Sequence, residues 1–131
     1  VYKRQMEAGD FENARTHFSS YLESNPGDSE AKKGIAMVAL LKRTAGADLN
    51  SGREAAAANP ADVDAQLNAA DLDLLGGHVD DAFARLLTTF RDSDAEQRDT
   101  IRERLLELFD VVGPEDSRVG AARKRLSRLM F

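Results

Sequence analysis

Cysteine is absent from the 131 residues, which excludes disulfide staples, thiolate metal sites and thiol redox chemistry within the chain. Long hydrophobic runs are missing too. The longest, Ile35 to Leu41, has seven residues, far short of the roughly 20 needed to cross a bilayer as a helix. No basic start, apolar stretch and small-residue cleavage site marks a secretory leader. Runs of Val, Ile, Thr and aromatics are lacking, and aromatic residues make up only 6% of the chain, so strands have little to be built from. Positive charge is in deficit. A net charge of −5 opposes general nucleic-acid binding, because neutralising phosphates needs a basic surface.

What is present favours helices. Alanine, leucine, arginine and aspartate dominate, and 42% hydrophobic with 31% charged residues is an ordinary globular composition. The length suits one domain with one core. The charge is uneven. From Pro114 to Phe131, Arg118, Arg123, Lys124, Arg125 and Arg128 stand against Glu115 and Asp116, a net of +3, which leaves −8 for the rest. Cations near a helix C-terminus account for this electrostatically; a basic docking surface is the alternative. The chain opens with Val1 in mid-pattern, which reads as a piece of a longer polypeptide.

An internal repeat decides the fold class. Asn25-Pro26-Gly27-Asp28-Ser29-Glu30-Ala31 recurs as Asn59-Pro60-Ala61-Asp62-Val63-Asp64-Ala65, an offset of 34 residues, the tetratricopeptide period. Twice that offset, 68, maps Gly9 onto Gly77, Phe11 onto Val79, Ala14 onto Ala82 and Phe18 onto Leu86. Each match has a physical reason. Asn-Pro closes a helix, because proline restricts the residue before it and cannot continue the ladder. Asp28 and Asp62 stand where an N-cap accepts a backbone N–H. Gly9 and Gly77 fall at the turn inside a repeat, and Ala14 and Ala82 let paired helices approach.

The expectation is therefore all-α: a tetratricopeptide-repeat superhelix of antiparallel helix pairs, about three repeats with the first truncated, and a C-terminal helical-pair cap. The repeats occupy residues 1–92, divided 1–28, 29–62 and 63–92, and the pair occupies 93–131, in one domain overall. Helices are predicted over Val1 to Ala8, Phe11 to Ser24, Glu30 to Arg43, Leu49 to Ala58, Val63 to Leu75 and Asp80 to Phe90. The second repeat reads as degenerate, with Asp48 where the small alanine belongs, a loose turn at Thr44-Ala45-Gly46-Ala47 and a thinly packed second helix. Ser93 followed by Glu96 reads as a capping box opening a helix that Gly113-Pro114 ends. The last two helices carry 3–4 spaced apolar residues and are expected to pack on each other and on the third repeat.

No constellation for catalysis, metal or cofactor emerges. His17 and His78 lack partners at ligand spacing, no serine has a nucleophile-elbow setting, and Gly76-Gly77 is no phosphate loop. Asp71/Asp73 and Asp80/Asp81 read as a solvated face and a first-turn complement to the helix dipole. The chain is thus expected to bind proteins, not to catalyse. In the repeat register, groove-facing positions are Glu30, Lys33, Met37, Leu40 and Leu41, then Asp64, Leu67, Asp71, Leu74 and Leu75. A clamp for a terminal carboxylate needs basic residues where Gly34, Met37 and Leu67 stand. What remains is an apolar groove with an acidic rim, its partner-binding residues Met37, Leu40, Leu41, Leu67, Asp71 and Leu74, unless these leucines are core or covered by another part of the polypeptide.

The C-terminal block narrows the reading. Asp80-Asp81-Ala82-Phe83-Ala84-Arg85-Leu86-Leu87 is followed by Arg98-Asp99, Arg102, Leu105-Leu106-Glu107-Leu108-Phe109 and Val112-Gly113, then by Arg118-Val119, Ala122-Arg123, Leu126 and Met130-Phe131. This block resembles the tail of bacterial YbbN-type thioredoxin-like proteins, the chaperedoxins, and Gly9-Asp10-Phe11 with Ala14 resembles their preceding repeats. The turn Pro114 to Arg118 departs from the family in lacking an Asp-Pro start. The resemblance implies a cytoplasmic co-chaperone that holds unfolding clients and passes them to the chaperonin or the Hsp70 system. It implies an N-terminal thioredoxin-like domain as a further partner, with any redox activity residing there. Carried onto this sequence, the family's docking helix points at Arg123, Arg125, Arg128, Leu129, Met130 and Phe131.

Overall fold

A computed structural model describes residues 11–131. Among them stand seven helices and no strand: α1 (Phe11–Ser24), α2 (Ser29–Thr44), α3 (Leu49–Ala58), α4 (Val63–Leu75), α5 (Val79–Arg91), α6 (Ala95–Val112) and α7 (Ser117–Met130). The all-α expectation holds. The expected helix over Val1 to Ala8 and the Gly9 turn lie outside the described residues. Among the described residues no helix is long and apolar enough to cross a membrane.

Aspartate starts most of these helices. Asp28, Asp48, Asp62, Asp94 and Asp116 each accept a backbone N–H of the first turn with a side-chain oxygen, at 2.8–3.1 Å, satisfying donors that the helix cannot. The capping box of α6 is Asp94 with Gln97, one residue beyond the expected Ser93 and Glu96. Ser93 instead donates its hydroxyl to the Thr89 carbonyl at 2.6 Å, finishing α5. Arg98 reaches back to the same end, donating to the carbonyls of Phe90 and Arg91 and lying 4.9 Å from the Phe90 ring centroid. Gly77, with φ +86°, makes the turn between α4 and α5 that the repeat predicts.

The second repeat is displaced, and the displacement is regular. α2 and α4 begin 34 residues apart, in register, but α2 has 16 residues and α4 has 13. α3 consequently starts about one turn late, and Asp48 becomes its N-cap. The small residue that permits close approach moves with it, to Gly52. A Cβ there would lie 2.6 Å from Leu72 Cδ1.

Packing follows this shift. α1 packs on α2, α3 on α4, and α4 on α5, while α6 lies against α2, α4 and α5. Thus α2 finds its main partners in α1 and α6. α7 lies on α5 and meets α6 where the Arg123 guanidinium sits 5.0 Å from the Phe109 ring centroid. The main core joins Leu40, Leu67, Leu74, Phe83, Leu86, Ile101, Leu105, Leu108, Phe109, Val119 and Leu126, with Phe83 and Phe109 edge-to-face at 5.1 Å. A smaller core, Ala14 and Val38 with Phe11 and Phe18, binds α1 to α2.

Candidate functional site

The groove face of α2 and α4 is occupied by α6. Leu40, Leu67, Asp71 and Leu74, expected on an open partner-binding groove, are buried. Met37 and Leu41 are half-buried and pack against the core clusters; of the neighbouring positions, Leu75 is exposed. The reason is that α6 carries its own apolar face into the same space. Ile101, Leu105, Leu108 and Phe109 are each buried to 1% exposure or less. Burial of such side chains contributes about 1.5–3 kcal/mol each, so the four together rival the roughly 5–15 kcal/mol stability of a whole domain. The groove is core.

Asp71 and Asp73 are not on a solvated face. They sit in α4, whose buried residues run without a break from Ala69 to Leu74, so this stretch of the helix is enclosed on all sides. Asp71, 2% exposed, accepts from Arg43 of α2 at 3.1 and 3.2 Å and from Arg104 of α6 at 2.5 Å. Glu107 completes this cluster, 2.8 Å from Arg43 and 3.8 Å from Arg104. Burial pulls the Arg43 guanidinium down, but the hydrogen bond and charge of Asp71, with Glu107, leave it above its ordinary value. Asp73, fully buried, accepts from Arg53 of α3 at 2.7 Å and Arg85 of α5 at 3.4 Å. Buried carboxylates demand such partners. The two aspartates therefore tie α2 and α6, and α3 and α5, to the central helix. The sequence pointed the other way for Asp71, since Asp64, Asn68 and Asp71 share one face of α4 at helical spacing.

The remaining expected residues lie on α7 and are exposed, except half-buried Leu129. Val119, Ala122 and Leu126 face the core. Lys124, Arg125 and Arg128 make no side-chain ion pair or hydrogen bond among the described residues, whereas Arg123 is turned onto Phe109. Two clefts open between α5 and α7. One of about 500 Å³ is lined by Asp80, Phe83, Arg118, Ala121 and Arg125, and one of about 260 Å³ by Leu87, Arg91, Arg125, Arg128 and Leu129. Met130 and the fully exposed Phe131 end the helix beside them. At its other end, the Arg118 side chain and backbone N–H hold the Asp116 carboxyl down at about 2.

A family model described as tetratricopeptide repeat matches residues 42–131. The chain belongs to the tetratricopeptide-repeat family. The match runs from the end of α2 through α7, so it takes in the last two helices along with the third repeat. Among similar proteins are uncharacterized proteins of Mycobacterium bovis and of two strains of Mycobacterium tuberculosis, each 36% identical over 129 residues. The alignments cover 98% of this chain and 42% of each relative. No solved structure matches it.

A tetratricopeptide module works by binding proteins, and with the groove face occupied by α6 the described residues leave other surfaces exposed. The arrangement offers two: the basic face of α7 with its apolar tip, and a polar cleft on the side of Asp73. The first was legible in the sequence as a run of arginines. The second was not, because Arg53, Arg85 and Asp73 lie on three different helices.

Proposed function

We propose that this tetratricopeptide module is the client- and chaperone-binding part of a cytoplasmic thioredoxin-like co-chaperone, with α7 as its docking helix. The observation that carries the reading is the conjunction on α7 of unpaired Lys124, Arg125 and Arg128 with exposed Met130 and Phe131. An exposed cation–apolar tip suits a surface that first attracts and then anchors a partner. The resemblance of the C-terminal block to chaperedoxins gives the partner class, the chaperonin or the Hsp70 system. Catalysis is no part of this reading; redox chemistry would reside in a thioredoxin-like domain outside this chain.

The test is deletion of Ser127 to Phe131. The buried anchors Val119, Ala122 and Leu126 precede the cut, so circular dichroism should retain nearly all of the helical signal. Chaperonin co-elution should be lost, and Arg125→Glu with Arg128→Glu should weaken it in a salt-dependent way. Undiminished co-elution by both variants refutes the docking role. A second reading, a scaffold that assembles a complex without holding clients, is favoured by the filled groove. It predicts that the chain leaves aggregation of a heat-unfolded client unchanged, whereas the co-chaperone reading predicts suppression.

A further inference from the structure

Two aspartates on α4 each carry two arginines, and the clusters differ in where the second acid stands. At Asp71, Arg43 and Arg104 face a second carboxylate, Glu107, that touches both. Two positive charges meet two negative ones, and the cluster is closed. At Asp73, Arg53 and Arg85 share a single buried carboxylate. The nearest further acid, Asp81, stands 3.8 Å from Arg53, is largely exposed, and lies 4.0 Å from His78 Nδ1. It does not reach Arg85.

The arginines are nevertheless anchored. Arg85 donates Nη1 to Gln66 Oε1 at 2.9 Å, and buried Gln66 donates in turn to the carbonyls of Ala56 and Pro60 at 2.9 and 3.3 Å. Arg53 spends only its Nε hydrogen on Asp73. Both terminal nitrogens of Arg53 and Nη2 of Arg85 make no hydrogen bond among the described residues. Both side chains line an open cleft of about 910 Å³, walled by α3, the turn before α4, α5 and the start of α6. That volume lies in the range, roughly 300–1,000 Å³, of sites that take ligands. Exposed Thr88 adds an unengaged hydroxyl on the α5 wall.

We propose that this cleft binds a partner peptide through a carboxylate held by Arg53 and Arg85. Guanidinium forks match a carboxylate in geometry, and a buried aspartate behind them fixes both forks before the ligand arrives, which lowers the ordering cost of binding. Asp81 and Asp92 also line the cleft, so the charge of the two arginines is largely compensated, which suits a monoanion better than a doubly charged phosphate. The site is independent of α7 and of any co-chaperone role. It lies on a different face from the groove in which a carboxylate clamp is disfavoured by Gly34, Met37 and Leu67.

The test uses the whole chain and three probe peptides. They are acetyl-trialanine with a free C-terminus, the same peptide as its amide, and acetyl-Ala-Glu-Ala amide. Arginine Nε–Hε resonances are followed during titration by NMR. The expected result is that one or both carboxylate peptides shift Arg53 and Arg85 while the trialanine amide does not. The free-acid peptide reports a chain terminus and the glutamate peptide reports a side chain. Thr88→Glu, an exposed substitution outside the ion cluster, should weaken binding by roughly tenfold through like-charge repulsion, and Asp81→Asn should strengthen it. The proposal is overturned if neither carboxylate peptide moves these resonances, if Thr88→Glu leaves the shifts intact, or if inorganic phosphate binds in preference.

Discussion

Replacing Asp71 with asparagine keeps the shape of the side chain and removes its charge, and its consequence can be worked from the contacts. The carboxylate is 2% exposed and accepts three hydrogen bonds, at 3.1, 3.2 and 2.5 Å, from Arg43 and Arg104. Breaking a buried ion pair by removing one partner costs about 3–5 kcal/mol. Two features reduce that figure here. The arginine side chains retain 27% and 20% exposure, and Glu107 still faces both of them. Asparagine also keeps one acceptor. A loss of about 2–3 kcal/mol is therefore expected for Asp71→Asn. With a urea m-value of about 2 kcal/mol/M, the midpoint should fall by roughly 1–1.5 M at unchanged m. Because the cluster joins α2 and α6 to α4, amide exchange should show the α1–α2 hairpin losing protection first. A change within about 0.5 kcal/mol, the scatter of ordinary surface substitutions, would refute the view that the cluster holds α6 in place.

Other outcomes follow from single positions. Gly34→Ala would put a Cβ 2.5–2.7 Å from three ring carbons of Phe18, so overpacking of about 1–3 kcal/mol should outweigh the roughly 1 kcal/mol helix-propensity gain; a urea midpoint at or above that of the parent would contradict this. Asp116 has a folded value of about 2, lowered from 3.8. Its contribution to the α7 cap is therefore complete above about pH 4 and lost as pH falls through about 2, and Asp116→Asn should abolish that dependence in the amide protection of α7. The helix α3 has ten residues and buries only Gly52 and Ala56, so its amides should exchange fastest among the five helices α2 to α6; protection equal to that of α4 would count against it.

The repeat was readable because its punctuation is local. Asn-Pro, the capping aspartates and the glycine turn act within a few residues of themselves, so α1 and α4 begin and end where the pattern puts them. The capping box missed by one residue because Ser93 and Asp94 can both cap, and Glu96 and Gln97 can both answer them. The lengthening of α2 was hidden since Thr44, Ala45 and Gly46 suit a turn and a last helical residue alike. The partners of Asp71 lie 28 and 33 residues away, beyond any local rule. Leu40, Leu67 and Leu74 carry no mark telling a ligand-facing leucine from one that meets another helix of its own chain. The arginines of α7 were legible as cations, and only packing separates Arg123, placed on an aromatic ring, from Arg125 and Arg128.

By filling its own concavity, this array gives up two freedoms that open solenoids keep. It cannot be lengthened by adding repeats after α5, since α6 already occupies the inner face on which the next first helix would be read. Nor can its specificity drift through the inner positions of α2 and α4, which here obey the volume rules of an interior and tolerate only isosteric change. Variation is left to the rim, where a single charge on α5 or α7 can be exchanged without moving the scaffold. Among the described residues, recognition is left to change on the outside.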